Sequence, residues 1–197
     1  MRIGIDISQI AFEHTGVAVY VRNIVTALIR RYPDNDYILF AASLRKRHVF
    51  AGFIRSLGAV KARVRLVSVP IPPTLLEMLW NRLRILPVTV FTGPLDVFWS
   101  SDWTQPPLGS TPVVTTIHDL SILRFPIESR DTVSVEVSSG GIAANIVAVQ
   151  KRRLKLAARH CSAFFCDSLA TKNDAERLLG LDPKRLNVVY PGYTKAV

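Results

Sequence analysis

The first 42 residues constrain the fold more than any other stretch. Ile3 to Ile7 is a short apolar run of strand type, and Ser8 to Thr15 is polar and loop-like. Val21, Ile24, Val25, Leu28 and Ile29 then recur at helical spacing, which predicts an amphipathic helix with one face on a core. Arg30 and Arg31 suit its negative C-terminal end, and Pro33-Asp-Asn-Asp36 stops it. Tyr37 to Ala42 is the next strand. A strand-loop-helix-strand order predicts a right-handed crossover and a parallel sheet.

The same alternation continues. Strands are expected at Val64–Val69, Val97–Ser100, Val113–Ile117, Ala163–Cys166 and Asn187–Val189. Helices are expected over Phe50–Leu57, over Thr74 to about Arg84 after Pro70-Ile-Pro-Pro73, and over Ile142–His160. A last one is expected from an N-cap at Ser168 to Leu179, closed by Gly180. Residues 127–141 read as a polar loop. At 197 residues, one doubly wound α/β domain over 1–190 is expected, with 191–197 as the start of a linker.

Composition narrows the partners. The chain is 49% apolar and 20% charged, so it is globular. No secretory signal is visible, and no run of about 18 apolar residues could span a bilayer, so a cytoplasmic location is expected. Cys161 and Cys166 read as buried residues in a reducing compartment. No Cys/His cluster has metal-ligand spacing, so neither a metal nor a resident cofactor is expected. Net charge is +10 and unevenly spread. No acid occurs between Asp36 and Glu77, where Arg45, Lys46, Arg47, Arg55, Lys61, Arg63 and Arg65 gather. A second basic run is Lys151-Arg-Arg-Leu-Lys155. Such fields attract anionic lipid, nucleic acid or phosphorylated ligands, or are simply solvated faces. Nothing resembles a nucleic-acid-binding motif, so that partner rests on charge alone.

Val113 to Ile117 ends on His118-Asp119. Ligands of parallel sheets sit outside such strand ends, so this pair is a candidate catalytic or sugar-contacting group. Asp119 either orients His118 or caps the next turn. Gly16 stands between strand and helix, where a missing Cβ and free N–H groups suit a phosphate; an ordinary turn is the alternative. Asp6 reads as a loop-fixing acceptor rather than a base. Trp99 and Trp103 either stack on a sugar or pack in the core. Residues 74–86 hold Leu75, Leu76, Met78, Leu79, Trp80, Leu83, Ile85 and Leu86 with Arg82 and Arg84. A segment of that kind lies either at a membrane interface or in the core.

The chain resembles the N-terminal half of family 4 retaining glycosyltransferases of the two-domain GT-B fold. Carrying the resemblance are Met1-Arg-Ile-Gly-Ile-Asp6, Gly16-Val-Ala-Val-Tyr20 with Val21-Arg-Asn-Ile24, and Leu95-Asp-Val-Phe98. Thr116-Ile-His-Asp-Leu-Ser121, Phe125-Pro126, Asp167-Ser-Leu-Ala-Thr-Lys-Asn-Asp174 and Leu186-Asn-Val-Val-Tyr-Pro-Gly192 complete it. The resemblance implies an acceptor-side domain of a metal-independent enzyme that moves a sugar from a nucleotide-sugar to a glycan or lipid-linked acceptor. The donor-binding C-terminal domain, with its acidic E-x7-E motif, would be the missing partner, and this chain alone would not turn over.

The resemblance also implies site roles. His118 and Asp119 would be catalytic. Asp6, Gly16, Val17, Tyr20, Ser168, Thr171 and Lys172 would line the cleft. Arg45, Lys46, Arg47, Trp80, Arg82 and Arg84 would face an anionic membrane on its inner side. The family loop often reads Gly-Ile-Gly-Arg-Tyr, and Ala18 and Val19 replace its second Gly and its Arg here. Two rival readings are a non-enzymatic basic binding module and a degenerate half-enzyme that supports a partner subunit.

Overall fold

A computed structural model describes residues 1–58, 63–107, 109–124 and 146–192. Among the described residues, seven strands form one parallel sheet: β1 (Arg2–Asp6), β2 (Asp36–Ala42), β3 (Val64–Val69), β4 (Val97–Ser100), β5 (Val113–Ile117), β6 (Ala163–Cys166) and β7 (Leu186–Val188). Their order is β3-β2-β1-β4-β5-β6-β7. The chain moves outward from β1 to β3, then returns to β4 on the other side of β1. This reversal opens a crevice at the C-terminal ends of β1 and β4, where ligands of such sheets bind. The architecture is a Rossmann-like α/β fold.

Helices cover both faces. They are α1 (Gly16–Arg31), α2 (Arg47–Ser56), α3 (Pro73–Glu77), α4 (Thr89–Thr92), α5 (Ser121–Arg124), α6 (Ile146–His160) and α7 (Leu169–Leu179). The period of two along β2 divides the core. Tyr37, Leu39 and Ala41 pack with Val25 and Ile29 of α1 and Phe50 and Phe53 of α2. Ile38, Phe40 and Ala42 pack with Leu76, Trp80, Leu154 and Ala157 on the other face. Every β2 residue after Asp36 is buried, as expected for a strand covered on both sides. Gly4 on β1 is required by packing: a Cβ there would stand 2.6 Å from Leu95 Cδ1 and 2.7 Å from Phe98 Cδ2.

The strands at 64–69, 97–100, 113–117 and 163–166 match their expected bounds, and α7 runs from its Ser168 cap to Gly180 in the left-handed conformation. β1 begins and ends one residue earlier than expected, although Ile7 N–H still donates to Phe40 O at 2.8 Å. The expected loop 127–141 and the start of the helix at 142–145 lie outside the described residues.

The expected helix from 74 to 84 is corrected. The α-helix ends at Glu77, and Met78–Arg82 continues as a π-helical turn. Beyond it, Arg84 and Leu86 hold positive φ of 56° and 58°. The turn is fixed from inside: Trp80 Nε1–H donates to Leu86 O at 2.9 Å, and Arg84 donates to Trp80 O at 3.0 Å. Trp80 is 0% exposed and packs on Phe40, so it is a core residue and not a membrane-facing one.

Candidate active site

The switch crevice is narrow, about 310 Å³ including the solvent at its mouth. Asp6 at the end of β1, Val17 and Tyr20 on α1, Trp99 on β4 with Asp102 just past it, and His118 after β5 line it. Four segments far apart in sequence therefore meet at one sheet edge. Asp6, Val17, Tyr20 and His118 of the expected site are among them.

His118 is held firmly. Its Nδ1 lies 2.6 Å from Asp167 Oδ2, and both side chains are mostly buried. Tyr20 meets the imidazole edge-on, with ring centroids 4.9 Å apart and planes at 87°. A carboxylate at that distance accepts a hydrogen bond from Nδ1–H, which leaves Nε2 of the neutral ring as an acceptor for a ligand hydroxyl. The backbone is tied as well, since the Thr171 hydroxyl donates to His118 O at 3.2 Å. Ser168 Oγ in turn accepts from Thr171 N at 3.0 Å. Ser168 and Thr171 thus anchor α7 and the His118 backbone, and Lys172 follows them, half-buried.

Of the two readings of Asp119, the structure shows the turn cap and not the orienting partner. Asp119 is exposed, and its Oδ1 accepts from Ser121 N–H at 3.0 Å and from the Ser121 hydroxyl at 2.6 Å. It caps the turn into α5, and the partner of His118 is Asp167. Strand register explains why. Ile117 on β5 pairs with Cys166 on β6, so His118 and Asp167 each stand one residue past the ends of adjacent strands. That signal was in the sequence only for a reader who knew which strands were neighbours.

The floor of the crevice is acidic. Asp6 Oδ1 accepts from Ser8 N–H at 2.9 Å, but its Oδ2 is buried without a partner. Burial raises the Asp6 pKa above the usual carboxylate value, and the charge of Asp102 adds to the rise. Asp102 Oδ1 and the Tyr20 hydroxyl are also buried and unpartnered. Burial raises the Tyr20 pKa, and Asp167 adds to it. Beneath them lies Arg153, 2% exposed. It donates to Ser101 O and Thr116 O at 3.1 Å each, and to the Thr115 hydroxyl. Although it stands in the basic run Lys151–Lys155, Arg153 is a buried strut joining the ends of β4 and β5. Asp102, Asp167 and Arg153 had no assigned role in the sequence.

Gly16 is the exposed first residue of α1, and a Cβ there would meet nothing within 4 Å. Neither packing nor φ requires glycine. Thr15 caps the helix by accepting from Ala18 N–H at 3.2 Å, and no acid stands in the first turn. Trp99 sits between the crevice and Phe165, with its indole N–H donating to Thr116 at 3.2 Å. Among the described residues, no three His, Cys, Asp or Glu stand close enough to hold a metal ion.

Arg45, Lys46 and Arg47 are exposed at the start of α2. Lys46 donates to Ala11 O at 3.0 Å and Arg47 to Ser68 Oγ at 3.3 Å. Arg82 is exposed and pairs with the buried Glu77, which also meets Arg152 at 2.9 Å. Arg84 is half-buried, and burial lowers its pKa. Among the described residues, no helix is long and apolar enough to cross a membrane.

The sheet is doubly wound with a histidine at its switch point, and the sequence comparison assigns its family. The model of Glycosyltransferase Family 4 matches residues 14–195, and the chain belongs to that family. Among solved structures it is similar to the crystal structure of Anabaena Alr3699/HepE in complex with UDP, with 13% identity and a TM-score of 0.46. That match covers 98% of this chain and 44% of the other, so the chain spans less than half of that structure's length. No curated protein matches the sequence.

Proposed function

We propose that this chain is the acceptor-side half of a two-domain GT-B glycosyltransferase that moves a sugar from a nucleotide-sugar to a glycan or lipid-linked acceptor with retention. The observation that carries the reading is the His118–Asp167 pair at 2.6 Å beside the switch crevice, in a chain of this family. Retaining transfer needs hydrogen-bonding groups that hold the sugar while charge develops at its anomeric carbon and on the departing phosphate. A fixed imidazole with an accepting Nε2 holds a sugar hydroxyl. The α1 N-terminus beside Gly16 offers N–H groups to a phosphate oxygen. A donor-binding domain supplies the rest of the cleft. The test is release of nucleotide from a panel of nucleotide-sugars by this chain joined to a donor domain. His118→Ala should cut turnover by about 100-fold or more. Unchanged turnover in that variant overturns the reading.

A membrane-borne acceptor is favoured by a separate observation. Leu83, Ile85, Leu86 and Val90 are 54%, 48%, 40% and 64% exposed beside Arg82, in a turn that holds two bulky residues at positive φ. Such residues are strained there unless the surroundings impose the shape. Flotation with phosphatidylglycerol vesicles should carry the protein up at low salt, and Leu83→Ser with Ile85→Ser should abolish it. Flotation unaffected by that double substitution sinks the docking surface.

A further inference from the structure

The crevice differs in charge from the rest of the molecule. The chain has 25 Lys and Arg against 15 Asp and Glu, yet the crevice lining holds Asp6 and Asp102 and no Lys or Arg. Asp6 is 3% exposed, lines the crevice and presents an oxygen without a partner, and Asp102 presents a second. The cation beneath, Arg153, directs Nη2 at two backbone carbonyls and a threonine hydroxyl, and its charge acts on Asp102 but not on Asp6, which leaves Asp6 as the buried carboxyl with no cation beside it. A buried carboxylate without a counter-charge is costly, and a hydroxyl ligand would satisfy its hydrogen bonding but not its charge. A phosphate would be repelled. A divalent metal lacks ligands, since no three acidic, His or Cys side chains converge among the described residues. An ammonium group supplies both charge and donors, and is compact enough for a narrow crevice.

We propose that the Asp6–Asp102 floor is a subsite for a protonated amine, which makes the acceptor an amino sugar or a related amino-polyol. The identification of that amine with the acceptor rests on the transferase reading above; the amine site itself does not. Tyr20 and Asp102 flank the group, and Trp99 forms the neighbouring wall.

The test reads binding by the full chain, with no turnover involved. Glucosamine, glucose, N-acetylglucosamine and glucose 6-phosphate are titrated while the Trp99 indole N–H resonance is followed. Glucosamine should half-saturate the shift at a concentration about tenfold or more below that for glucose or N-acetylglucosamine, the worth of one charge-assisted hydrogen bond. Asp6→Asn should bring glucosamine within about twofold of glucose. Should that variant fail to fold, Asp102→Asn must show the same loss. The wild-type comparison between glucosamine and glucose decides the matter even if neither variant folds. Equal binding of glucose overturns the amine site in favour of a neutral hydroxyl floor. Tighter binding of glucose 6-phosphate overturns it in favour of an anion site, and no response to glucosamine overturns it outright. Transfer to amino-sugar acceptors that is no faster than to neutral ones and is undiminished in Asp6→Asn would sink the amine site and leave the transferase intact. Amine binding in a protein that never turns over a nucleotide-sugar would do the reverse.

Discussion

Two regions of this molecule break the ordinary rules of folding, and they break them in opposite ways. The switch crevice buries polar atoms of Asp6, Tyr20 and Asp102 without partners. The turn after α3 exposes Leu83, Ile85 and Leu86 and holds two bulky residues at positive φ. Between them, the described sheet has a core on each face. The contrast teaches what each region awaits. On the readings proposed above, the unpartnered buried polar atoms suit a small polar ligand and the exposed apolar turn suits an apolar surface. Departures from good folding concentrate where function does.

The sharpest way to break the comparison is to remove the strut under the crevice. Arg153→Met should cost about 1.5–3 kcal/mol in urea unfolding, because Ser101 O and Thr116 O lose a buried charged donor. A loss under about 1 kcal/mol would mean the crevice floor does not depend on it. Asp167→Asn comes next. It should lower kcat/KM by about 10- to 100-fold, while the folding midpoint moves little. The Asn variant should also change the pH profile of turnover, which a merely structural role would leave alone.

Asp6→Asn asks whether the floor is strained for function. The folded carboxyl has a pKa raised above 3.8, so wild-type stability from this group is present below that value and lost as pH rises through the folded pKa. The variant should therefore be more stable than wild type at pH 7, and the gain should vanish below about pH 3.8. A constant gain across that window would mean titration is not the cause. The smallest effect belongs to the other region. Leu86→Gly should stabilise the fold by about 0.5–1 kcal/mol by relieving its positive φ, and yet weaken vesicle flotation. Stability and docking rising together would erase the contrast between the two regions.

These two regions are also where reading the sequence fell short. Most strands were legible because their β-branched runs are bounded by turn residues, and α7 was legible because Ser168 and Gly180 mark its ends. The turn after α3 was not legible. Its residues are apolar on nearly every side, so periodicity could not separate buried Trp80 from exposed Leu83. Arg153 was hidden inside a basic run, and only packing of α6 against the ends of β4 and β5 shows that it is interior. His118 announced itself by standing at the end of a strand. Its partner did not, because Asp167 lies 49 residues further along and meets it only through the β5–β6 register.

That register has a consequence for synthesis. The imidazole is made early and its carboxylate late, so an emerging chain carries His118 unpaired until β6 has been added beside β5. The pair then reports alignment as well as presence. A slip of one residue between the two strands would turn alternate side chains to the opposite face and separate the ring from its carboxylate. Correct β5–β6 register is therefore a condition for the His118–Asp167 contact, which cannot form before both strands lie side by side.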